Sequence, residues 1–264
     1  MMKTKLFAFI LASVSINAFA WQVVQNNNQN WLSSIEAAPS VYVEMNKYFL
    51  KKDSSNDARA YVQNFIETIH ANMAQETYDF MNQKLGQPGC VPSTQVSFPE
   101  QLTSKYNFNS KREFESNFLK VESYTCLGKL DLDRVFETLM SEAFQRKAIN
   151  GLKAIQLNQN TNQACVETKI FGLGTSRYCL TKHVQKTQNQ YVIQSFNETN
   201  VNNPSAPVYF KETINVITRL ANGEISLYNL MYARSVDLSF RGMVKSKVED
   251  QQEDVRTYLI EGAQ

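Results

Sequence analysis

The sequence reads as an α+β protein in which a helical N-terminal portion precedes a largely antiparallel sheet and one long C-terminal helix. Three observations carry that reading. Between residues 152 and 236 the chain produces one strand-like run after another, separated by turn-rich pieces such as "NQNTN", "GLGTS", "KTQNQ" and "LANGE". The last of these holds Asn222-Gly223, the strongest hairpin signal in the chain. After the strands, "FRGMVKSKVEDQQEDVRTYLIEG" sets Phe240, Val244, Val248, Val255 and Leu259 on one helical face, with Glu249, Asp250, Glu253 and Asp254 elsewhere.

Taken in order, residues 1–20 have the layout of a secretory signal peptide. Lys3 and Lys5 precede an apolar run from Leu6 to Val14, and Ala18-Phe19-Ala20 supplies the small-residue ending. The run is shorter than the ~20 residues a bilayer-spanning helix needs, so no transmembrane anchor is expected. Trp21 is the expected mature start, and the short "MMKTK" leader has a bacterial look; the expected location is periplasmic or secreted. Residues 21–110 form an N-terminal helical region and linker. An Asn/Gln-rich arm, "WQVVQNNNQNW", leads into a mixed helical stretch broken at Pro39. "NDARAYVQNFIETIHANMAQETYDFMNQKLG" is the strongest helix: Asn56 or Asp57 caps it, Val62, Phe65, Ile66, Ile69, Met73, Phe80 and Met81 recur at helical spacing, and Gly86 with Pro88 ends it. "GQPGCVPSTQVSFPEQ" is the expected connection.

Residues 111–264 form the sheet domain. "FLKVESYTCLGKL" reads as its first strand, and "DLDRVFETLMSEAFQRKAING" as a helical segment entered at Asp131 or Asp133 and stopped at Gly151. Six strands follow. In the sixth strand of the domain's seven, Phe210, Ile214, Val216 and Leu220 share one parity with Glu212, while Lys211, Thr213, Asn215 and Arg219 share the other. In the last, Ile225, Leu227, Met231 and Ala233 share a parity with Asn229. Alternation of this kind predicts one buried and one wet face. Glu212 and Asn229, each on an expected buried face, need a partner, which is a ligand, trapped water, the backbone or one another.

Charge excludes two classes of partner. The chain has 27 Lys+Arg against 25 Asp+Glu, and the difference of two is the leader's Lys3 and Lys5. A near-neutral mature chain carries neither the basic stripe of a nucleic-acid binder nor a polybasic membrane patch. Catalytic chemistry is thinly supplied. His70 and His183 are the two histidines and fall on different elements; His183 reads as a solvated strand residue and His70 as a semi-buried helix residue. There is no G-x-S-x-G elbow, no H-E-x-x-H and no C-x-x-C, so neither a catalytic nucleophile nor a metal is assigned. Gly172-Leu173-Gly174 is not a phosphate loop, since no lysine follows and the next element reads as a strand. No cofactor is expected.

The four cysteines are read as a scaffold. Placing Cys165 opposite Cys179 in a hairpin sets Val166 against Tyr178, Ala164 against Leu180 and Glu167 against Arg177, each a compatible pair, with the turn at Gly172. Cys90 and Cys126 then pair by elimination among the three possible connectivities, tying the linker to the first strand.

The element order from residue 111 onward, with two short helices after the first strand and a long C-terminal helix, resembles the helix-grip fold of the START and pollen-allergen superfamily, to which polyketide cyclases also belong. The resemblance implies a curved antiparallel sheet wrapped around the C-terminal helix and a hydrophobic cavity between them. The tryptophan that the family often carries after its first strand is missing, since none follows Trp31. The implied function is a non-enzymatic domain that binds or carries a hydrophobic small molecule or lipid. Phe210, Glu212, Ile214, Val216, Leu227, Asn229, Met231, Val244 and Val248 are its expected lining. Two alternatives stand beside it: a filled-core scaffold that meets protein partners through the N-terminal helices, and a cavity enzyme of cyclase or hydrolase type. A buried titratable pair near Glu212 favours the enzyme.

Overall fold

The structure is a computed structural model that describes residues 23–25, 56–85, 87, 89–97, 118–149, 152–170, 174–199, 208–235 and 241–264. The leader, the Pro39 stretch and the Gly172 turn lie outside the described residues. The strands are β1 (Val23–Gln25), β2 (Ser93–Ser97), β3 (Phe118–Gly128), β4 (Leu152–Asn158), β5 (Gln163–Ile170), β6 (Gly174–Lys186), β7 (Gln190–Thr199), β8 (Val208–Arg219) and β9 (Ile225–Ser235). The helices are α1 (Asn56–Leu85), α2 (Leu132–Met140), α3 (Glu142–Ala148) and α4 (Arg241–Ala263).

The strands run β2-β3-β9-β8-β7-β6-β5-β4 across the sheet, every neighbouring pair antiparallel. Two pieces read from sequence as irregular join it. Val23–Gln25, in the expected arm, pairs in parallel with Val184–Lys186, and Ser93–Ser97, in the expected connection, pairs with Lys120–Tyr124. Three to five residues are too short for a period-2 signal to stand out. The β8–β9 hairpin turns where expected, at Gly223 with φ +82°. Between β3 and β4 the helical segment breaks in two at Ser141, whose hydroxyl accepts from the Phe144 N–H and so caps α3, as Asp131 caps α2 through Arg134 N–H.

Both faces of the sheet are covered, which corrects the expectation of one wet face. On the inner face, α2, α3 and the C-terminal half of α4 close over one apolar cluster that includes Val135, Phe136, Met140, Phe144, Ile193, Ile217, Leu227 and Leu259. Helix α4 is held there by polar ties as well. Gln252 accepts from Ser123 Oγ at 2.8 Å, Arg256 Nε donates to the Cys126 carbonyl at 3.2 Å, and the Gln251 amide bonds the Ala148 carbonyl. The outer face is taken by α1. Its Ile69, His70, Met73, Ala74, Thr77 and Met81, spaced three and four apart, are all buried. Strand β8 therefore buries both parities: Ile214 and Val216 outward under α1, Thr213 and Ile217 inward. Sequence alternation did not forecast this because a helix from the far end of the chain supplies the second cover.

Both expected disulfides are present, and the β5–β6 register sets Cys165 against Cys179, Val166 against Tyr178, Ala164 against Leu180 and Glu167 against Arg177. Cys165 and Cys179 lie on the outer-face parity, and Cys90–Cys126 joins the segment after α1 to β3. From loop closure alone, replacing Cys165 and Cys179 together by alanine should cost about 3 kcal/mol, and replacing Cys90 and Cys126 about 4 kcal/mol. Urea titration of the two double variants tests the order of these losses.

Candidate functional site

Two polar groupings occupy opposite faces of the sheet. The outer one is centred on Glu212, whose side chain has 0% exposure in the middle of β8. His70 Nδ1 lies 3.0 Å from Glu212 Oε1, and Gln194 Nε2 donates to the same oxygen at 2.9 Å. A carboxylate acceptor selects the Nδ1–H tautomer of His70. His183, exposed on β6 and opposite Gln194 in register, meets the Phe196 ring edge-on at 5.7 Å, and His70 flanks the same ring at 6.2 Å. The two histidines that sequence separated thus converge on one phenylalanine. Further along α1, Phe80 stacks on Tyr228 at 4.4 Å, Glu76 accepts from Tyr232 Oη at 3.1 Å, and Lys120 Nζ reaches Glu76 at 2.7 Å. Burial, reinforced by the Glu122 and Glu76 carboxylates, pushes the Tyr228 and Tyr232 hydroxyls well above the ordinary phenol range.

The inner grouping is a pair of rows crossing five strands. One row runs Val121, Met231, Thr213, Ser195, Lys182; the next runs Ser123, Asn229, Asn215, Ile193, Val184. They lie beside the apolar cluster, so inner-face polarity rises along the strands away from Ile217 and Leu227. Asn215, Asn229 and Met231 stand on the neighbouring strands β8 and β9 and face inward, yet remain partly accessible while Ile217, Leu227 and Ile193 are buried. Inward-facing side chains at a sheet centre stay accessible only where the packing leaves space beside them. The accessible surface of these three side chains marks the candidate chamber.

The residues expected to line one cavity divide between the faces. Leu227, Asn229 and Met231 are inward, whereas Glu212, Ile214 and Val216 are outward beneath α1. Phe210 pairs with Arg234 in β8, and Val244 and Val248 lie in α4, but their side chains fall outside the described residues. Parity within one strand groups residues correctly; relating the parities of two strands requires their register, which sequence did not supply. Glu212 and Asn229 consequently cannot satisfy one another. Asn215 and Thr213 were missed because their parity on β8 read as wet, and Ser195 because no parity was assigned to β7.

A curved antiparallel sheet closing its inner face on a long C-terminal helix, with two short helices following β3, decides the architecture. This is the helix-grip fold. No family model and no curated protein matches the chain. Among solved structures, the helix grip here is similar to human STARD10 at 8% identity over 70% of this chain and 79% of that one, with a TM-score of 0.46. It is similar to human StAR-related lipid transfer protein 5 at 12% identity over 75% and 97%, TM-score 0.44. A third similarity is to the Zhui aromatase/cyclase of a Streptomyces species at 10% identity over 55% and 93%, TM-score 0.39.

The helix grip also has an open cleft of about 980 Å³ between the α2–α3 elbow and β4, floored by Phe136, Met140, Leu157 and Tyr191. On its rim Asp133 accepts from Lys186 Nζ at 2.7 Å and Tyr191 Oη at 2.8 Å. Among the described residues, no group of three or more His, Cys, Asp or Glu is placed to hold a metal.

Two outcomes are expected. Glu212→Ala should cost about 2 kcal/mol or more by stranding buried His70, and should raise amide exchange across α1; Glu212→Gln, which still accepts from Nδ1–H, should cost about 1 kcal/mol. For the rim, the Lys186 bond holds the Asp133 carboxyl below its ordinary value. Its stabilisation is therefore present above the usual aspartate range and lost as pH falls through the depressed folded value. With the Asp133 side chain 53% exposed, that contribution is under ~1 kcal/mol. The stability gap between the parent protein and Asp133→Asn should close in acid, as read by denaturant titration at neutral and acid pH.

Proposed function

We propose that the chain is an exported, non-enzymatic carrier of a hydrophobic or amphipathic small molecule, held between the inner face of the sheet and α4. One observation carries the proposal: Asn215, Asn229 and Met231 face inward at the centre of the sheet and remain accessible. A filled-core scaffold would bury them as completely as Ile217. Apolar contact with Met231 and its neighbours would supply affinity at ~25 cal/mol per Å², with the amides orienting the guest. Two disulfides fit an oxidising compartment, in keeping with an N-terminal leader. Among the described residues no helix is long and apolar enough to cross a membrane.

The cavity-enzyme alternative has one observation in its favour, the buried His70–Glu212 pair. That pair lies on the outer face, across the sheet from the chamber, and ties α1 down. A catalytic role would require α1 to lift away.

Displacement of a fluorescent fatty acid tests the carrier reading. Uptake by the parent protein and a more than about tenfold loss in Met231→Trp, which fills the chamber, are expected. Absence of uptake, with no lipid extracted from the purified protein, would overturn it.

A further inference from the structure

The inner face is polar to an extent that a plain hydrocarbon guest does not explain. Resting on the carrier reading, we infer that Asn215 and Asn229 form a headgroup subsite for an uncharged amphiphile bearing several hydroxyl or carbonyl groups.

Asn215 and Asn229 are direct cross-strand partners on β8 and β9, so their side chains stand side by side, about 5 Å apart at Cβ. Ser123 flanks Asn229 on β3, and Thr213 and Ser195, themselves cross-strand partners, form the adjoining row. The hydrogen bonds described in these two rows are Ser123 Oγ to Gln252 at one edge and Lys182 Nζ to Met140 Sδ at the other. They leave the two asparagine amides facing the accessible space. Each amide offers two donors and one acceptor with two lone pairs, and a dry apolar guest would strand them at a desolvation cost. A polar head with both donors and acceptors satisfies them.

The charge pattern narrows the class. In these two rows Lys182 is the single charged side chain. It sits two strands and one row from Asn215, about 12 Å away at the usual strand spacing and rise. Glu212, the central acid of β8, projects to the opposite face. Among the described residues of these two rows, the ground around Asn215 and Asn229 is neutral: hydroxyls, Val121, Ile193 and the Met231 thioether. A neutral polyol or multiply carbonylated head fits it, while a carboxylate head would find no cation beside the two amides among the described residues of these rows. The tail would lie along Met231, the partly accessible apolar side chain beside the amides, which packs against Val121 and Leu119.

Three twelve-carbon probes separate these outcomes: monolaurin, laurate, and dodecane delivered from cyclodextrin, each competing against a fluorescent fatty acid on the full mature chain. The inference expects monolaurin to displace at about tenfold lower concentration than laurate or dodecane, as two satisfied hydrogen bonds would give. Asn215→Leu/Asn229→Leu should bring monolaurin to within about twofold of dodecane and leave dodecane unchanged. If that variant does not fold, the side-chain amide resonances of Asn215 and Asn229 in the parent protein should shift with monolaurin and stay put with dodecane. Equal displacement by monolaurin and dodecane, or laurate preferred and lost in Lys182→Met, overturns the headgroup subsite and leaves the carrier reading standing. Displacement by none of the three overturns both.

Discussion

A carboxyl group with no exposed surface in the middle of a central strand must find partners or lose its charge, and Glu212 is such a group. His70 and Gln194 satisfy it, and His70 comes from a helix 142 residues earlier in the chain. The requirement therefore fixes where α1 lies and, with it, the fate of the outer face. Once α1 is seated, Phe80 reaches Tyr228 and Tyr124, Glu76 reaches Tyr232 and Lys120, and Cys90 is delivered to Cys126. A buried carboxylate of this kind specifies an arrangement more than it stabilises one.

With the outer face occupied, accessible interior space is left to the inner face. There the sheet is graded rather than uniform. One end is sealed by the α2–α3 elbow and the C-terminal turns of α4, where Gly262 lets the helix approach Thr138 so closely that an added Cβ would fall 2.5 Å from its Cγ2. The other end carries amides and hydroxyls that the sheet does not pair among themselves. Packing closes the apolar end, and the proposed guest site lies beyond it, so fold and proposed function meet at the boundary between Leu227 and Asn229.

Much of this was legible in the sequence. Periodicity located α1, the α2–α3 segment, α4 and the longer strands. Side-chain compatibility across the β5–β6 hairpin pointed to its register and to Cys165–Cys179, because every facing pair there agreed at once, and elimination then gave Cys90–Cys126. What escaped notice escaped for physical reasons. Val23–Gln25 and Ser93–Ser97 are strands only because a neighbour pairs them. The polar parity of β8 was read as wet because Thr213 and Asn215 look like surface residues; they face an interior that tolerates them beside accessible space. Of the seven expected lining residues on β8 and β9, the six with described side chains split three and three between faces, since each strand's alternation is internally sound but silent about its neighbour's phase.

The division of labour between the two faces is tested most directly by methyl NMR. With Ile, Leu, Val and Met methyls labelled and a protonated apolar probe added, intermolecular NOEs should appear at Met231, which faces inward on β9, and be missing at Ile214 and Val216, which lie under α1 on the neighbouring β8. NOEs to Ile214 and Val216 without those to Met231 would place the guest beneath α1 and contradict the account.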